Sequence, residues 1–226
     1  VENIDYSSKQ LVIASHFLGS DGDDDFISNT VIDGDSTASC VTMNGEGSEL
    51  IGFTLTNGFS NDDYKGGAIF ITESSTIIHC LIINNFSAGD YGTPITISSA
   101  SITFDHLTVS DNYNLLYAGI NNGVVLLGGS NESVITITNS IYRWYEHYGV
   151  NSPPVENLSN NYSSPDSPLF CDSENGDYSL AENSPCVGTG EGSSNIGAFG
   201  VGCGPLILAP VILDIAFDQQ IYEDDS

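Results

Sequence analysis

Apolar and polar residues alternate in three stretches of this chain that share one register. Ile51 to Phe59 aligns with Ile78 to Phe86 and with Asp105 to Tyr113, each copy 27 residues after the one before. Leu50, Phe53 and Leu55 thus correspond to Ile77, Cys80 and Ile82, and then to Phe104, Leu107 and Val109. Successive side chains of a strand point to opposite faces. Stacking the copies at about 4.8 Å puts Phe53 over Cys80 over Leu107 in one internal column. Thr54, Leu81 and Thr108 then face outward.

A second strand accompanies each copy: Ala68 to Ile71, Pro94 to Ile97 and Gly123 to Leu126. Thr30 to Gly34 and Cys40 to Met43 extend the pattern towards the start, and Ile135 to Tyr142 towards the end. No single copy can bury its own apolar face, so the core must come from stacking. The expected fold is all-β: a single-stranded parallel β-helix of about five to six turns. An antiparallel sandwich also shows short, evenly spaced strands. It does not require specific residues to recur in register. Asn57, Asn84 and Asn112 lie near the corners and are read as turn residues, since Asn tolerates left-handed backbone.

Several segments resemble a known family. Glu2 to Tyr6, Thr30 to Gly34, Ile51 to Gly58 and Gly66-Gly67-Ala68-Ile69 are similar to the secreted right-handed parallel β-helices of the pectin-lyase-like superfamily. The nearest pattern is that of large bacterial extracellular proteins without assigned chemistry. Their helices end in a motif like Pro168-Leu169-Phe170, Glu174 to Leu180, Asn183 to Cys186 and Asn195 to Phe199. The resemblance covers about residues 1–203. It implies a right-handed coil over 1–165 and a loop-rich closing segment or cap over 166–204. It also implies a secreted or cell-surface location, and it leaves activity open, because one fold hosts many functions. The chain reads as a segment of something longer. Residues 205–226 are expected to be a tail or linker into a further module, with Val211 to Phe217 as a strand for pairing with the open end of another copy.

Composition narrows the partners. Thirty acidic residues stand against Lys9, Lys65 and Arg143, a formal charge of -27. Nucleic-acid binding needs phosphate-neutralising cations and is excluded on that ground. No apolar run is long enough to span a bilayer, so no membrane insertion is expected. Cys40 and Cys80 occupy apolar strand positions and are read as buried thiols. Cys171, Cys186 and Cys203 lie in the closing segment, where Cys186–Cys203 is the first choice for a disulfide and would suit an oxidising compartment. Asn-X-Ser triplets at Asn85, Asn131, Asn157 and Asn161 match the glycosylation pattern, as chance allows in so Asn- and Ser-rich a chain.

Three sets of residues offer chemistry. Asp62 and Asp63 are the carboxylates a polysaccharide hydrolase or lyase would use. The Asn-Thr-Asp, Gly-His-Gly and Arg-Ile-Lys segments of the related hydrolases are missing, and basic residues that would hold a uronate are scarce. Asp21, Asp23, Asp24 and Asp25 are either a solvated loop or hard-oxygen ligands for calcium. Tyr142, Trp144 and Tyr145 either cap the open end of the core or stack on glycans. His79 and His106, nearly one repeat apart, are read as strand-surface residues. The expectation is a non-catalytic structural or adhesive module with no required cofactor, open to glycans and to self-assembly through its ends. A calcium-using carbohydrate-active enzyme and a glycan-binding module are the alternatives.

Overall fold

Where the 27-residue register predicts columns, strands pair side by side and in parallel. The computed structural model describes residues 2–90, 92–98, 100–127, 133–149, 154–164 and 166–207. The first long sheet holds six strands: Ile4–Asp5, Val41–Met43, Ile69–Ile71, Ile95–Ser98, Gly123–Leu127 and Trp144–Tyr148. The second also holds six: Val12–Ala14, Ser48–Ile51, Ser75–Ile78, Ile102–Asp105, Val134–Thr138 and Val155–Ser159. A third sheet contains Val31–Asp33, Thr54–Thr56, Leu81–Ile83 and Thr108–Ser110. The arrangement is that of an all-β, mostly parallel fold, consistent with a parallel β-helix.

The register is the one the repeat requires. Leu81 pairs with Thr54 on one side and with Thr108 on the other. The Leu81 amide donates to Phe53 O at 2.9 Å, and the Thr108 amide to Cys80 O at 3.0 Å. Phe53, Cys80 and Leu107 therefore follow one another up one internal column, and all three are buried. A second column runs Ile13, Leu50, Ile77, Phe104, Ile137 and Leu158 through the second long sheet. Leu50, Ile77, Phe104 and Ile137 are fully buried, whereas Leu158 at the end of the column is exposed; burial of the inner members is the main stabilising term, at about 25 cal/mol per Å² of apolar surface. Cys40 and Cys80 are free thiols in this core. Burial pushes each of them up to about 12.

Of the three asparagines read as turn residues, Asn57 and Asn84 hold the corner, while Asn112 is buried one position beyond it. Asn57, Asn84 and Asp111 hold the left-handed corner, with φ of 54°, 53° and 51°. The next position turns inward, where Asn85 and Asn112 are fully buried. Asn85 Oδ1 accepts from the Gly58 amide at 2.8 Å, and Asn112 Oδ1 accepts from the Asn85 amide at 3.0 Å. The Asn85 amide group also donates to Leu55 O and Ile83 O. Each asparagine satisfies backbone groups that a corner leaves without a ladder partner. Asn85 is thereby placed inside the core and cannot carry a glycan.

Thr54, Leu81 and Thr108 do point outward from the third sheet, but they are buried. The closing segment folds back along this flank. Ile27, Leu81, Ile83, Tyr178, Ala198 and Phe199 form a second apolar cluster there. The Ala198 amide donates to Thr108 Oγ1 at 2.9 Å, and Thr54 Oγ1 donates to Ile27 O at 2.9 Å. Gly197 permits the close approach. Its φ is +102°, and a Cβ there would come within 2.7 Å of Ile141 Cδ1. Such a conformation is open to glycine at little cost.

The closing segment carries a three-stranded sheet of Phe170–Asp172, Asp177–Ala181 and Val201–Cys203. Its disulfide is not the expected one. Cys171 is bonded to Cys203, with Cα atoms 5.9 Å apart, while Cys186 is a free buried thiol. Strands Phe170–Asp172 and Val201–Cys203 both border Asp177–Ala181, which brings their cysteines together. Cys186 instead packs with Ile141, Leu180 and Ile196. The residues expected to pair with another copy, Val211 to Phe217, lie outside the described residues.

Candidate functional site

The carboxylates that the alternative, enzymatic reading would use accept hydrogen bonds from backbone amides. Asp62 and Asp63 sit in an exposed turn after the strand Phe59–Ser60. Asp62 Oδ1 accepts from the Tyr64 amide at 2.9 Å. Asp63 Oδ1 accepts from the Asp90 amide in the neighbouring loop at 3.1 Å. Each therefore orders a turn.

The acidic loop also fails to converge. Asp24 Oδ2 accepts from the Gly200 amide at 2.6 Å and so ties the loop to the closing segment. Burial raises the Asp24 carboxyl, and the Gly200 bond opposes that rise. Asp23 Oδ1 accepts from the Asp25 amide at 3.1 Å. Asp21 is exposed, at φ 54°. Among the described residues no three His, Cys, Asp or Glu side chains gather closely enough to hold a metal ion. One oxygen of Asp23 and one of Asp24 are engaged by backbone amides.

His79 and His106 form a stacked pair at one corner, with ring centroids 4.6 Å apart. Phe17 covers the outer ring of His79, also at 4.6 Å. Both histidines have left-handed backbone, φ 49° and 52°. His79 Nδ1 is buried without a hydrogen bond. Burial, with the adjacent His106, holds His79 down at about 4. His106 Nδ1 lies 3.0 Å from Asp105 Oδ2. Burial alone would raise Asp105, but bonds from His106, Asn139 and Thr138 bring it down to about 2. The pair belongs to the seam between coil and closing segment.

The aromatic cluster divides between two surfaces. Strand Trp144–Tyr148 pairs with Gly123–Leu127, so Tyr145 stands over Val124 and His147 over Leu126, facing inward. Tyr142 is buried in the main core and Tyr145 packs against it. Tyr142 and Tyr145 therefore pack on the end of the core, where they also line a cavity of about 670 Å³. Glu156 and Leu158 face inward opposite them, over Ile135 and Ile137, with His147 Nε2 3.8 Å from Glu156 Oε1.

Trp144, Glu146 and Tyr148 face outward, over Gly123, Val125 and Leu127. The indole lies flat on Gly123, where a Cβ would come within 2.4 Å of its Cε2. Loops containing Asp90 and Tyr117 rise beside this strand and close a cleft of about 280 Å³, with buried Val125 in its lining. The two loops are tied together, since Asn114 Nδ2 and Asn121 Nδ2 each donate to Gly92 O at 2.8 Å. Tyr148 Oη donates to Glu146 Oε2 within the cleft. Period-two alternation counted from Val124 separates Trp144 from Tyr145, and would have found Tyr148 as its partner. Tyr117 carries no repeat signal and could not be found that way.

No family model, curated protein or solved structure matches this chain. Among the described residues no helix is long and apolar enough to cross a membrane.

Proposed function

We propose that this chain is a non-catalytic structural and adhesive module of an extracellular or cell-surface protein, built as a right-handed parallel β-helix of the pectin-lyase-like kind. The observation that carries this reading is the unbroken buried column of Leu50, Ile77, Phe104 and Ile137, bonded strand to strand in register. A column of this kind, bonded rung to rung by backbone ladders, makes a stiff body whose flanks are free to present side chains. The right-handed crossover is the one parallel strands adopt almost without exception. The Cys171–Cys203 disulfide suits an oxidising, extracellular setting. The backbone-bound states of Asp62 and Asp63 favour a structural part for both.

The role is that of a spacer and not of a fibre subunit. Glu156 places a carboxylate at an inward position of the last strand of the second long sheet, and inward-pointing charge is a recognised way to stop edge-to-edge addition. Two measurements test the reading. A screen of neutral and anionic polysaccharides for new reducing ends or unsaturated product is expected to show no turnover. Turnover abolished by Asp62→Asn or Asp63→Asn would overturn it. Light scattering at neutral pH is expected to give a monomer, and a concentration-dependent filament would remove the spacer role.

A further inference from the structure

The outward cleft beside Trp144 has the chemistry of a sugar site, and we infer that it binds a neutral saccharide; this rests on the adhesive part of the reading above. Three rings border it. Trp144 is held flat by the missing side chain of Gly123, while Tyr117 and Tyr148 stand 66% and 40% exposed at its rim. A pyranose offers an apolar C–H face to such rings and a row of hydroxyls at its edge. Asp90 and Glu146 line the same cleft and accept hydrogen bonds from hydroxyl groups. A few convergent polar groups on an apolar floor are what fixes a small ligand's orientation.

The electrostatics select the ligand. No Lys or Arg lines this cleft, and the chain as a whole carries a charge of -27. A uronate or sulfated sugar would meet two carboxylates with no cation to offset them, so an uncharged ring is the occupant that fits. The volume, about 280 Å³, lies near the lower end of ligand pockets, at roughly 300 Å³. That size suits one ring or a chain end and not a long stretch of polymer.

The test uses the fact that Trp144 is the chain's single tryptophan. Intrinsic fluorescence of the full chain would be titrated with neutral gluco-, xylo-, manno- and N-acetylglucosamine oligosaccharides, and with polygalacturonate. The expected result is a saturable change with at least one neutral sugar below about 10 mM, and none with polygalacturonate. Tyr117→Ala and Glu146→Gln, checked for native circular dichroism, should each weaken that binding about tenfold. The inference is overturned if no neutral sugar gives a saturable change. It is also overturned if polygalacturonate alone binds, or if both variants bind as the parent does. Failure here leaves the spacer role untouched, because that role is judged by turnover and by light scattering.

Discussion

The third sheet and the second long sheet share one alternation but differ on their outer faces. Behind the second long sheet one outward row is Glu49, Thr76, Thr103, Thr136 and Asn157, all at least partly open to solvent. Behind the third sheet Val31 at the edge is exposed, but Thr54, Leu81, Ile83 and Thr108 are buried beneath the short helix Asp25–Asn29 and the closing segment. The inner faces are equivalent, so stacking alone does not account for the difference. What separates the flanks is a few outward apolar residues and the chain that returns to cover them. A repeat establishes the interior, and exceptions to the repeat on the outside decide what docks there.

The largest effect should come from the shared interior. Phe104→Ala empties a fully buried position between Ile77 and Ile137. It should cost about 3–5 kcal/mol, read as a fall in the urea midpoint. Both flanks should be lost together in that transition. Leu81→Ala acts on the covered flank alone and should cost about 3 kcal/mol. In this variant, limited proteolysis should cut between residues 166 and 203 before the long sheets unfold.

Much of this was legible in the residues. The recurrence of Leu50, Phe53 and Leu55 at Ile77, Cys80 and Ile82 set the register, because a one-residue slip would turn every apolar side chain to the other face. Leu81 and Ile83 break the polar outward pattern, and that break was the available sign of a covered flank. The asparagine ladder was missed by one residue because Asn84 and Asn85 are adjacent, and composition does not say which of the two turns inward. The disulfide was missed because three cysteines in a loop-rich segment allow several pairings, and only the return of Val201–Cys203 beside Asp177–Ala181 selects one. Trp144 and Tyr145 were grouped because they are neighbours in sequence, while a strand sends neighbours to opposite faces.

Acid should loosen the covered flank through a group the open flank lacks. His79 lies under Phe17 and is held at about 4, against an ordinary value of 6.5. A depressed histidine contributes stability that is complete above pH 6.5. The unfolded chain takes up the proton first, so that stability declines as pH falls from 6.5 and is gone below about 4. The loss should be about 2 kcal/mol, allowing for partial solvent exposure. Thermal unfolding between pH 7 and pH 2 checks this, and His79→Phe should flatten the profile between pH 6.5 and pH 4. Asp105, held at about 2, has a separate window below its ordinary 3.8, so a steep loss confined to pH 2–4 would assign the effect to it instead. The smallest effect belongs to the open flank: Thr103→Ala should change the urea midpoint by no more than about 0.5 kcal/mol in equivalent stability.

The column of Phe53, Cys80 and Leu107 is the claim on which the rest depends, and its hydrogen bonds can be observed one at a time. Nitrogen–carbonyl scalar couplings across hydrogen bonds, measured by NMR on isotopically labelled protein, should link the Leu81 amide to the Phe53 carbonyl and the Thr108 amide to the Cys80 carbonyl. Couplings that pair these strands in antiparallel order, or that join Leu81 to neither neighbouring strand, would contradict it.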